Sequence, residues 1–161
     1  MYLFKTIRMN FLLTLVLFAC ATETTETKVT PKENSNAANI VSVEVSGNEN
    51  NYTFKVGIKS PDTGCKQYAN WWEVLSEDGK LIYRRILGHS HVNEQPFIRS
   101  GGTVAIGQEQ VVWIRAHMNN TGYGGEVFKG TVKDGFTKFD ADTNFPKEIE
   151  TESPQPSGCA F

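Results

Sequence analysis

The residues of this 161-residue chain best suited to chemistry are its three histidines, His89-Ser-His91 in one stretch and His117 further on. Imidazoles at i and i+2 of an extended segment project to the same side. A third from a neighbouring strand would complete a trigonal face for Zn²⁺ or Cu²⁺ with one position open. Glu94 is then the natural fourth ligand, or the general base of a metal-dependent enzyme. The competing expectation needs no cofactor: loop histidines hydrogen-bonded to backbone, Asn93 or Glu94.

A second constellation comes from alternation. Over residues 110–118, Val112, Ile114 and Ala116 fall on one face, and Trp113, Arg115 and His117 on the other. The apolar set belongs in the core. The opposite face joins an aromatic, a cation and an imidazole, and Trp71 and Glu73 of an earlier strand extend it, while Trp72 and Val74 have core parity. Rings supply contact area at low entropy cost and arginine supplies forked hydrogen bonds, which suits a glycan, peptide or protein ligand. The alternative is that the C-terminal tail or the 88–102 loop covers Trp71 and Trp113. In that loop Arg99 is placed to take an anionic group and Phe97 to plug the end of the body.

Other patterns exclude more than they suggest. No Gly-x-Ser-x-Gly nucleophile elbow occurs. Gly122-Tyr-Gly-Gly125 lacks the strand-to-helix setting of a dinucleotide fingerprint, and Asp62, after Pro61, reads as a turn residue. Binding is therefore expected ahead of catalysis. The formal charge of −2, with basic residues scattered and only Arg84-Arg85 adjacent, excludes a nucleic-acid surface.

Strands must position these groups. Val41, Val43 and Val45 alternate with polar residues, as do Tyr52, Phe54, Val56 and Ile58, and the turn-forming 47–50 joins the two runs as a hairpin. Further strands are expected over 71–76 and 80–87, joined at Gly79, then over 104–106, 110–118 and 126–132, with 88–102 as a loop and 133–140 as a possible additional edge. Seven strands with turns every 8–12 residues predict an all-β, antiparallel sandwich over 40–139. Residues 140–161 form a polar tail. Cys65 and Cys159 are either free thiols or a bridge stapling that tail to the body.

The N-terminus carries the address. Lys5 and Arg8 precede ten residues, 11–20, that are apolar but too short to span a bilayer and match the apolar region of an export signal. Leu17-Phe-Ala-Cys20 resembles the lipobox of bacterial lipoproteins, which implies cleavage after residue 19 and lipidation of Cys20. An uncleaved anchor and ordinary secretion are the other readings. Removing 1–19 takes away two basic residues and no acid, leaving a formal charge of −4. Residues 20–39 hold one sizeable apolar side chain, Val29, and read as a tether reaching ~25 Å from a membrane anchor. The expected location is the bacterial cell envelope, in the outer membrane or facing the periplasm.

Two resemblances concern the body. Residues 111–125, Val-Val-Trp-Ile-Arg-Ala-His-Met-Asn-Asn-Thr-Gly-Tyr-Gly-Gly, resemble the penultimate strand and following turn of fibronectin type III and related immunoglobulin-like domains, which implies that sandwich and says nothing about function. His89-Ser-His-Val-Asn-Glu94 is similar to the first metal motif of cupins, with His117 standing for the second. The gap before Glu94 is one residue short, however, and no glycine lies six before His89. The body is also similar to small secreted bacterial proteins, from which no function carries over.

Overall fold

Alternating side chains build two sheets here, and both fill one core. The structure, a computed structural model, describes residues 34–139 and 145–160. The signal segment, Cys20 and most of the expected tether lie outside the described residues. The strands are β1 (Asn39–Asn48), β2 (Asn51–Lys59), β3 (Ala69–Ser76), β4 (Leu81–Ile86), β5 (Phe97–Val104), β6 (Val112–Met118), β7 (Val127–Thr131) and β8 (Gly135–Phe139). A 3₁₀ turn, Glu148–Thr151, follows.

One sheet has the order β1-β2-β5 and the other β4-β3-β6-β7-β8, and their pairings are antiparallel. The chain is thus an all-β antiparallel sandwich. β8 is added at one edge of the larger sheet as a hairpin partner of β7. Phe54, Val56 and Ile58 of β2 meet Trp72 and Val74 of β3 and Val112, Ile114 and Ala116 of β6 in one buried cluster.

Two boundaries differ from expectation. The fifth strand is Phe97–Val104, which begins inside the 88–102 stretch read as a loop and ends where the strand was expected to start. Its glycines are not turn residues: a Cβ on Gly101 would lie 2.6 Å from Tyr83 Oη, and one on Gly102 would lie 2.7 Å from the Tyr52 carbonyl oxygen. Backbone passes too close to its neighbours there for any side chain. The body also starts before Ile40, because Ala37, Ala38 and Asn39 are buried and Asn39 Oδ1 accepts the Glu126 N–H at 2.9 Å.

Phe54 is fully buried in the shared core, whereas Ile98, on β5, is 45% exposed. Urea denaturation should show Phe54→Ala losing ~3–5 kcal/mol and Ile98→Ala within ~0.5 kcal/mol of the parent.

Candidate functional site

Strand register writes the outer face of the five-stranded sheet as rows. Glu73 of β3 pairs with Arg84 of β4 on one side and Arg115 of β6 on the other, and Trp71 is paired with Ile86 and His117 in the same way. Leu75 stands opposite Trp113, and Trp113 opposite Lys129 of β7. The parity read for β3 and β6 therefore holds: Trp72, Val74, Val112, Ile114 and Ala116 enter the core between the sheets, and Trp71, Glu73, Trp113, Arg115 and His117 are on the opposite face.

That face is not open to solvent. Glu73 is 0% exposed, and Trp71, Trp113, Arg115 and His117 are all buried. The exposed binding face is corrected accordingly: residues 145–160 cross it as a strap. Ile149 of the strap joins Leu75, Trp113 and Val127 in a second apolar cluster, with Leu81 and Phe145 packed against it. Arg84 donates from Nη2 to the Ile149 carbonyl at 2.7 Å and from Nη1 to the carbonyls of Glu152 and Pro154. Glu150 Oε1 lies 2.8 Å from His117 Nε2. Beyond the face, Cys159 is bonded to Cys65, and the Ala160 N–H donates to the Gly88 carbonyl at 2.7 Å.

Under the strap the chemistry is a charged row wrapped in rings. Glu73 accepts from Arg84 Nε at 2.8 Å and from Arg115 Nε at 2.7 Å. Arg84 lies 4.5 Å from the Trp71 ring centroid, and Arg115 lies 3.6 Å from that of Tyr123. Trp71 stacks on His117 at 3.6 Å, nearly parallel. Burial, with the Glu73 carboxylate next, raises the Tyr123 hydroxyl above its ordinary value. Burial also lowers the His117 imidazole, against the opposing pull of Glu150.

The histidine loop is a separate place. Asp62 organises it from the floor, and the turn reading of that residue is corrected: Asp62 is buried, takes the Ser60 hydroxyl at 2.6 Å and the Ala69 N–H at 3.0 Å on Oδ1, and takes the His91 N–H at 2.8 Å on Oδ2. A carboxylate accepting this many bonds fixes residues 60–69 against residues 90–91. His91 stacks on Phe97 at 3.8 Å with His89 4.4 Å away. Phe97 is fully buried, which matches its reading as a plug. A cleft of about 350 Å³ opens here, lined by Gly64, His89, His91, Val92, Glu94 and Ala160 among others. Among the described residues neither ring nitrogen of His91 has a hydrogen-bond partner, Nδ1 lying 3.9 Å from Asp62 Oδ2, and burial, then Arg99 and His89, lowers its affinity for a proton.

The expected metal face is not assembled. His117 is held under the strap between Asn70 and Glu150, whereas His89 and His91 line the cleft. Among the described residues no group of three or more His, Cys, Asp or Glu side chains is placed to hold a metal ion. Glu94 and Arg99, read as a ligand or base and as an anion site, instead pair with each other through a fork of 2.8 and 3.1 Å, which holds the Glu94 carboxyl below its ordinary value.

Arg84, Tyr123, Asn70, Glu150 and Asp62 escaped the sequence reading. For Arg84 a signal existed: it is one of two adjacent cations in a strand otherwise apolar or aromatic, and it stands next to a Glu73 that needs a partner. Tyr123 and Glu150 gave none, because one sits in a glycine-rich turn and the other in a polar tail.

With the geometry in hand, the comparisons add one relative. The chain is 32% identical over 102 residues to a protein of Halomicrobium mukohataei named "Putative lipoprotein"; the match covers 63% of this chain and 50% of that protein. The chain thus spans half the length of that relative. No family model matches the chain, and no solved structure matches it.

Two outcomes follow from the buried groups. Glu73→Gln leaves two arginines under the strap without their shared carboxylate, so its unfolding free energy should fall by ~3–5 kcal/mol, read from urea titration. The second concerns pH. His91 and His117 have folded affinities for protons below those of an unfolded imidazole, which titrates near ~6.5, so the unfolded chain binds more protons as pH falls. Stability is then fully present above that value and declines below it. The urea midpoint should drop between pH 7.5 and pH 5.5, and drop less in a His91→Gln/His117→Gln chain.

Proposed function

We propose that the protein is an exported, lipid-anchored β-sandwich that binds a protein, peptide or glycan at the cell envelope, through the cleft at the histidine loop. The observation that carries the reading is the coincidence of a lipobox-like Leu17-Phe-Ala-Cys20 with similarity to a protein named as a lipoprotein. Thirteen residues, 21–33, separate Cys20 from the first described residue, Asn34. Their polar composition suits a spacer between anchor and body. The Cys65–Cys159 bond agrees with export, because disulfides persist in oxidising compartments.

The cleft favours binding on chemical grounds. Val92 is 50% exposed beside the buried His91, whose ring nitrogens have no hydrogen-bond partner among the described residues, so an apolar contact and a hydrogen-bonding group stand together, as ligand sites require. The loop is fixed by Asp62 and needs little ordering on contact, which limits the entropic cost of binding.

Lipidation is tested by expressing the full chain in a bacterial host fed an alkynyl fatty acid. The parent should carry label and partition into the detergent phase, and Cys20→Ser should lose both properties. An unlabelled, aqueous-phase parent would remove the anchor from this reading.

A further inference from the structure

We infer that the outer face of the five-stranded sheet is a peptide-recognition groove for an acidic segment that presents an aliphatic anchor from a 3₁₀ turn. Residues 145–160 occupy it in cis, and the same segment of a second copy of the chain can occupy it in trans. This stands apart from the cleft proposed above.

The groove is built by the sheet. Arg84, Glu73 and Arg115 are aligned by the registers of β4, β3 and β6, so the row does not depend on what covers it. The strap adds no strand: its described secondary structure is one 3₁₀ turn. Its main chain is instead read by a side chain, Arg84, which holds the carbonyls of Ile149, Glu152 and Pro154. Such contacts read main-chain carbonyls, whatever side chains those residues carry.

Sequence is read at two neighbouring points. Ile149 fills the apolar pocket of Leu75, Trp113 and Val127, and Glu150 meets His117. Charge agrees with this. Two guanidiniums share one carboxylate in the row, an excess of one positive charge, and the segment laid on it carries Glu148, Glu150 and Glu152 against the single cation Lys147. The Cys65–Cys159 bond lies past the last carbonyl that Arg84 holds. It works as a tether that raises the local concentration of the cis segment over any competitor.

The test uses the full chain with Cys65→Ser and Cys159→Ser, and a fluorescein-labelled peptide of residues 145–160 carrying serine at 159. Fluorescence anisotropy should show saturable uptake by this variant, at least tenfold weaker uptake by the disulfide-bonded parent, and a loss of tenfold or more when the peptide carries Ile149→Ala or the variant carries Arg84→Gln. A folded variant that ignores the peptide, or takes the Ile149→Ala peptide equally well, overturns the inference. Should the chain lacking the disulfide fail to fold, the disulfide-bonded chain with Ile149→Ala and Glu150→Ala in its own strap replaces it. That chain should bind the peptide more tightly than the parent, and no gain overturns the inference as well.

Discussion

Glu73 sits at zero exposure between two arginines, and the outer half of the structure is arranged around that fact. A buried carboxylate is tolerable only when its lone pairs are taken up by charged or polar partners. Arg84 and Arg115 supply them from the two strands flanking β3. Each arginine then brings its own demand, because a guanidinium has five donors and Glu73 takes one from each. Arg84 meets it with strap carbonyls, whereas Arg115 lays its guanidinium over the face of Tyr123 and keeps a buried Nη2 without a hydrogen-bond partner among the described residues. The strap is a consequence of the triad. Without some source of carbonyl oxygens over β4, the row would have to remain in water.

The same constraint explains why the face is aromatic. Trp71 and Tyr123 lie against the guanidiniums, and Trp71 also stacks on His117, so each ring serves a cation or an imidazole as well as excluding water. A composition of Trp, Arg and His fits an exposed ligand surface equally well, since recognition surfaces and buried charged interfaces use the same physics. Composition does not separate the two cases. What separates them is whether another part of the chain can supply the partner, and that depends on a segment more than thirty positions away along the chain.

Legibility followed from that distinction. Period-two patterning in β2 and β6 placed Phe54, Val56, Ile58, Ile114 and Ala116 in the core, and β3 parity separated Trp72 from Trp71, because alternation is local and each strand carries its own record. The fifth strand was hidden because Ser100-Gly101-Gly102 has turn composition. The reason for those glycines, close approach to Tyr52 and Tyr83, exists only once the sheets are packed. Asp62 was hidden for a related reason: Pro61-Asp62 is local turn chemistry, while the N–H groups that bury its carboxylate come from Ala69 and from His91, on the far side of two strands. The histidines were grouped by being few, and the register split them.

The strap shows why the disulfide and the charged row belong together. Ordering backbone costs ~1–2 kcal/mol per residue, and burying an isoleucine side chain contributes ~1.5–3 kcal/mol. Over 145–160 Ile149 is buried while most neighbours are exposed. Apolar burial alone therefore cannot hold so long a segment down. The Arg84 bonds to three carbonyls add charge-assisted contacts at one end, and the Cys65–Cys159 bond, closing 94 positions, removes unfolded-state freedom at the other, by ~4–5 kcal/mol in the chain-entropy model. A segment held by specific contacts and a covalent tether, with little apolar area of its own, has the energetic character of a bound peptide more than that of a core element.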